Sequence, residues 1–169
     1  MAIQTKPNAG TLLRFRLPPR LVDRGQLVRP DGRLHGLRVL VVDDNAAHRE
    51  ILRRYLGHWG VNGEGAASAG EALDCLRASQ ATGRPFHLAI LDLAMPEADG
   101  FDLAEAIACD PEIASLPLVL LTAFDQQGQA REARERGFSA YLTKPVKHLD
   151  LLATLQALAM PAPGEDVSA

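Results

Sequence analysis

Four short apolar runs in this chain each end abruptly in polar side chains. Residues 38–44 read Arg-Val-Leu-Val-Val-Asp-Asp and close on Asp43 and Asp44. Residues 87–92 close on Asp92, 118–122 on Thr122, and 140–144 on Lys144, with Pro145 next. The runs are rich in branched aliphatics and do not alternate. That is the pattern of strands buried on both faces of a parallel sheet. Strands of such a sheet all point one way, so three carboxylates, a hydroxyl and an ammonium gather along one edge. Ligands bind at that edge, where the strand order reverses.

Helical spacing fills the intervals. Ala47, Ile51, Leu52, Tyr55, Leu56 and Trp59 share one face of a helix that ends at Gly60. Residues 61–67 form the weakest strand, because Gly63 and Gly65 depress its propensity. Ser68 stands three residues before Glu71, a capping box that opens a helix with Ala69, Ala72, Leu73 and Leu76 inward. Residues 78–85 read as a loop. Pro96, Asp99 and Gly100 make a turn into a helix carrying Leu103 and Ile107, stopped near Pro111. A charged helix around Ala130 and Ala133 ends at Gly137, and Leu151, Leu152, Leu155 and Leu158 mark the last one. Five strands and five helices in strict alternation predict a doubly wound α/β sandwich with right-handed crossovers.

Composition leaves this picture intact. The chain has 169 residues, 47% hydrophobic and 23% charged, ordinary for one globular core. No apolar stretch approaches the roughly 20 residues that cross a bilayer. The first residues lack the apolar segment of a signal peptide, so a cytoplasmic location without membrane contact is expected. Cys75 and Cys109 have no metal-like spacing and are expected to be free thiols. The five histidines, including His48 and His148, lie singly and are expected to be structural or solvated.

Charge divides the chain. The overall net charge is -3, yet residues 1–36 carry a net +5 and the remainder -8. Such a step marks a change of domain. The basic part has one aromatic, Phe15, and no recognition motif, so nucleic-acid binding is not expected.

Three crowded carboxylates repel one another unless a cation neutralises them. Carboxylate oxygens suit hard ions such as Mg2+, which also bridges to phosphoryl oxygens. Lys144 adds a second positive charge and Thr122 a hydroxyl donor. The set meets the needs of phosphoryl transfer: positioning, charge neutralisation, and a carboxylate nucleophile that forms an acyl phosphate.

The stretches Val39-Leu40-Val41-Val42-Asp43-Asp44-Asn45, Leu91-Asp92-Leu93-Ala94-Met95-Pro96-Glu97-Ala98-Asp99-Gly100, Leu121-Thr122-Ala123 and Tyr141-Leu142-Thr143-Lys144-Pro145 resemble the signature of two-component receiver domains. The resemblance covers residues 37–160 in the expected order. It implies a (βα)5 flavodoxin-like sandwich with a five-stranded parallel sheet. It implies that Asp92 accepts a phosphoryl group from a phosphohistidine of histidine kinase dimerisation helices or a histidine phosphotransfer protein. Asp44 would bind Mg2+ directly, Asp43 mainly through water, and the backbone carbonyl of Ala94 would complete the ligands with Asp92. Thr122 and Lys144 would hold phosphoryl oxygens. Tyr141 matches the switch aromatic that turns inward with Thr122, and Pro145 the proline preceded by a cis peptide. Ala94 and Phe124 occupy the positions that tune phosphate lifetime. Neither has a polar side chain to orient water, so slow self-dephosphorylation is expected.

Residues 10–18, with Leu13, Phe15 and Leu17 alternating with arginines, resemble the closing strand of a histidine kinase ATP-binding domain. Residues 1–18 would then be the remnant of a kinase domain, 19–36 a linker, 37–160 the receiver and 161–169 a disordered tail. The parent would be a hybrid histidine kinase that a membrane anchor can hold. The orphan strand is expected to be disordered, with dimerisation through a sheet edge as the alternative. The receiver itself is expected to catalyse only its own phosphorylation and dephosphorylation. A phosphate-independent interaction receiver and an aspartyl-phosphate phosphatase are the competing readings. The phosphatase class needs an aspartate where Ala94 stands.

Overall fold

The computed structural model describes residues 2–6, 10–14, 32–96, 98–123 and 129–159. Strands β1 (Ala2–Lys6) and β2 (Gly10–Arg14) pair antiparallel, with Ile3 opposite Leu13. Disorder was the sequence expectation for this segment. Instead, Ala2–Lys6 supplies a backbone partner for the Gly10–Arg14 amides and carbonyls. Residues 15–18 of the same motif lie outside the described residues.

The remaining elements are β3 (Arg38–Val42), α1 (Ala46–His58), β4 (Asn62–Ala66), α2 (Ala69–Ala81), β5 (Leu88–Asp92), α3 (Gly100–Ala108), β6 (Leu118–Thr122), α4 (Gln129–Glu135), β7 (Ala140–Thr143) and α5 (His148–Ala159). β3 to β7 form one parallel sheet in the order β4-β3-β5-β6-β7. This is the expected five-stranded, flavodoxin-like, doubly wound fold. The order reverses between β3 and β5, which places the switch point beside Asp43 and Asp92.

The sheet separates two apolar layers. Leu40, Ala89, Leu91 and Leu120 face α2, α3 and α4 through Leu76, Leu103, Ile107 and Ala133. Val39, Val41, Ile90 and Leu121 face α1 and α5 through Leu52, Leu56, Leu151 and Leu155. Leu34 ends a 3-10 turn (Gly32–Leu34) and is fully buried in this second layer. The packed body therefore takes in the end of the segment read as linker.

Three local details set the ends of the helices. α2 runs on to Ala81, through four residues read as loop; Ser79 on its inner face is buried, and its hydroxyl donates to the Leu76 carbonyl. The Ser68 cap forms with the Glu71 amide, but Glu71 Oε2 accepts from Ala67 N rather than from Ser68. α1 is capped by Asn45, whose Oδ1 accepts from Ala47 N and His48 N. Such a cap is worth about 1 kcal/mol, and here it also fixes where the helix leaves the Asp43–Asp44 loop. Gly137, beyond α4, has φ +86°, as a helix-ending glycine requires.

Candidate functional site

Each strand-end residue arrives where the run containing it stops. Asp43 follows β3 and is fully buried; Asp92 ends β5 and is 4% exposed; Thr122 ends β6, buried as well. Asp44 stays exposed. One carboxylate oxygen from each of Asp43, Asp44 and Asp92 lies within 4.8 Å of the others. Lys144 lies just past β7, its amide donating to the Thr122 carbonyl at 2.7 Å. Its Nζ contacts Asp43 Oδ2 at 2.9 Å and Asp92 Oδ2 at 2.8 Å. The Lys144–Pro145 peptide is cis.

The electrostatics follow from these distances. Burial by itself would lower the Lys144 pKa, but hydrogen bonds to Asp92 and then Asp43 outweigh it and hold the ammonium above the usual lysine value. One ammonium offsets one of three carboxylates, so the cluster remains net negative. Its oxygen-only donors, two buried and one facing solvent, fit a hard divalent cation of the Mg2+ type. Asp43 Oδ1 already accepts from Asn45 N at 2.8 Å, which fixes the rotation of that carboxylate.

The loop after Asp92 is held by glycine. Gly100 N donates to the Leu93 carbonyl at 3.1 Å, and a Cβ on Gly100 would stand 2.6 Å from the Asp92 carbonyl oxygen. Ala94 is carried by this loop, its amide 3.4 Å from Asp92 Oδ1. Gly100→Ala is therefore expected to cost about 1–3 kcal/mol, as overpacking does, and to displace the backbone of Asp92 itself. Thermal unfolding should show a lower midpoint. A wild-type midpoint would mean that the loop yields freely.

Tyr141 is 37% exposed on β7, an outward ring. Phe124 lies outside the described residues. The sequence treated His48 as structural or solvated, yet its Nδ1 lies 3.4 Å from Asp43 Oδ2. Arg49 drew no notice, yet its Nη1 donates to the carbonyls of Asp43 and Asp44. An arginine one helical turn past an Asp-Asp pair was the available signal. A cleft of about 470 Å3 opens beside the acidic cluster, lined by Asp43, His48, Ile51, Tyr55, Lys144 and Val146 among others.

This arrangement has known counterparts. The family model described as the response regulator receiver domain matches residues 39–156. The chain belongs to the response regulator receiver family. Response regulator MprA of Mycobacterium avium is 37% identical over 130 residues, covering 77% of this chain and 54% of that protein. The osmosensing histidine protein kinase SLN1 of Saccharomyces cerevisiae is 32% identical over 120 residues, covering 70% of this chain and 10% of the kinase. The chain thus spans about half the length of MprA and a tenth of SLN1. Chemotaxis response regulator CheY4 of Vibrio cholerae superposes with a TM-score of 0.66 at 28% identity, covering 73% of this chain and 98% of that one. As a receiver, the domain belongs to two-component signalling, whose receivers interact with histidine kinases or phosphotransfer proteins. Among the described residues, no helix is long and apolar enough to cross a membrane.

Proposed function

We propose that this receiver is a phosphoacceptor in a phosphorelay, with Asp92 as the accepting residue. The observation that supports the reading best is the Lys144 ammonium bridging Asp43 and Asp92 within a three-carboxylate cluster. An Asp92 carboxylate oxygen forms the P–O bond as the P–N bond of the donor's phosphohistidine breaks, and the electron pair returns to the leaving imidazole. Asp43, Asp44, Asp92 and the Ala94 carbonyl would hold Mg2+. When bound, the ion supplies charge neutralisation for the phosphoryl oxygens. Lys144 then exchanges its contact with Asp92 for a phosphoryl oxygen, and the Thr122 hydroxyl takes another. Movement of Thr122 frees space for the Tyr141 ring to turn inward, a population shift between two packings.

The partner is a histidine kinase helical bundle or a histidine phosphotransfer protein. The apolar wall of the cleft, where Ile51 is 48% exposed beside Tyr55, Pro145 and Val146, supports docking of a protein rather than a small donor alone. The parent chain is a hybrid histidine kinase. The strand at Gly10–Arg14, read as the end of a kinase domain, and the likeness to SLN1 support this. The setting is cytoplasmic.

Acetyl phosphate with Mg2+ tests the reading. The intact mass should rise by one phosphoryl group, labile to hydroxylamine and mapping to Asp92. The adduct should persist for minutes or longer, because Ala94 offers no polar side chain. No mass gain, or a hydroxylamine-stable ester, defeats the proposal. In a second arm, Ile51→Glu should slow transfer from a phosphorylated histidine partner about tenfold, one interface anchor's worth. Transfer from acetyl phosphate should be unchanged.

A further inference from the structure

Arg49 reaches from the first turns of α1 back to the loop it follows. Its Nη1 donates to the Asp43 carbonyl at 2.6 Å and to the Asp44 carbonyl at 3.1 Å. These carbonyls belong to the two residues that line one side of the acidic cluster. The stem of the side chain runs over Gly65 of β4. A Cβ on Gly65 would stand 3.4 Å from Arg49 Cδ and 3.6 Å from Arg49 Nε. A Cβ there would make ordinary contact with the stem, and a branched side chain at Gly65 would press on it. The loop is then tied from three sides: the Asn45 amide to Asp43 Oδ1, the Asn45 side chain to the helix start, and Arg49 to both carbonyls.

We propose that Arg49, which lies against Gly65 and donates to both loop carbonyls, is a positioning residue that stiffens the Asp43–Asp44 loop and so makes the site select Mg2+ over Ca2+. The inference rests on the reading of this cluster as the cation site. Mg2+ demands a small, near-octahedral set of oxygens, whereas Ca2+ accepts looser and more variable ones. A loop held at both carbonyls meets the first demand. A loop free to shift loses Mg2+ affinity while keeping most of its affinity for Ca2+. Guanidinium also differs from ammonium here: a planar, preorganised donor set can span two neighbouring carbonyls, whereas lysine offers a point charge on a flexible stem.

Arg49→Lys preserves the charge and separates positioning from electrostatics. Calorimetric titration of wild type, Arg49→Lys, Gly65→Val and the double variant with Mg2+ and with Ca2+ provides the test. Arg49→Lys should weaken Mg2+ binding about tenfold, the lower end of what losing an outer partner of a metal site costs. Ca2+ affinity should change by less than about threefold, so the Mg2+/Ca2+ preference shrinks. Gly65→Val should reproduce the loss by lifting the arginine stem, and the double variant should lose no more than either single one. Melting in EDTA checks that Arg49→Lys remains folded. Equal losses for both ions, or an unchanged preference in a folded Arg49→Lys, would overturn the inference while leaving the site in place. Wild type with no Mg2+ affinity would remove the cation site and the inference with it.

Discussion

Asp92→Asn is expected to accept no phosphoryl group from any donor and, without divalent cation, to be more stable than the wild type. The first effect follows from chemistry. The amide has no anionic oxygen to form the P–O bond, and Asp43, though close, is held by Asn45 N and Lys144. The second follows from charge. In the metal-free protein, buried Asp43 and Asp92 share one ammonium, with Asp44 close by. The substitution leaves Asp43 and Lys144 as a matched pair, and the asparagine oxygen can still accept from Nζ. Relief of this repulsion should be worth about 0.5–2 kcal/mol, typical of easing a functionally strained site. Mg2+ should reverse the order, because a ligand stabilises the state it binds in proportion to its affinity and the variant has lost an anionic ligand. Denaturant titration with EDTA and with excess Mg2+, alongside the mass assay, reads both effects. A variant less stable than wild type in EDTA would mean that the Lys144–Asp92 contact outweighs the repulsion among the carboxylates.

The strand-end residues were legible because parallel strands impose a common direction. Once residues 38–44, 87–92, 118–122 and 140–144 read as buried strands, Asp43, Asp92, Thr122 and Lys144 had to share an edge. That inference needed only periodicity, and the observed register bears it out. The resemblance then assigned them separate roles, which chemistry alone left open. What stayed hidden depends on side chains folding back on themselves. Arg49 carried no signal, because nothing in a helical pattern says that its guanidinium returns to the preceding loop. Gly65 counted only as a weak point in a strand, since its contact with the Arg49 stem shows only when the neighbour is known. Gly100 read as part of a turn, yet it is the close approach to the Asp92 carbonyl that excludes a side chain. The partner strand Ala2–Lys6 was missed because five residues with one branched aliphatic carry too little alternation to register.

Lys144→Met reverses the charge argument and should produce the largest loss of stability. Methionine fills similar space but leaves Asp43, fully buried, and Asp92, 4% exposed, without the ammonium that bridges them. Breaking a buried pair by removing one partner costs about 3–5 kcal/mol. The lower end applies here, because the lysine side chain is itself 19% exposed and water can reach the vacated position. The pH dependence has a definite sign. The folded-state pKa of Lys144 is raised above the ordinary 10.5, so its contribution is complete below that pH and lost as pH rises through the raised value. The stability gap between wild type and Lys144→Met in EDTA should therefore stay level across neutral pH and narrow only above about 10.5. Mg2+ should close most of the gap at neutral pH, since a divalent ion neutralises the same carboxylates. Phosphoryl uptake should not recover with it. Loss of a fixed charge that stabilises the transferring group costs about 100-fold or more in rate. Stability restored by Mg2+ with uptake still depressed would separate the two roles of Lys144: counter-ion in the resting domain and phosphoryl ligand in the reacting one. Recovery of both would reduce the lysine to a substitute for the metal.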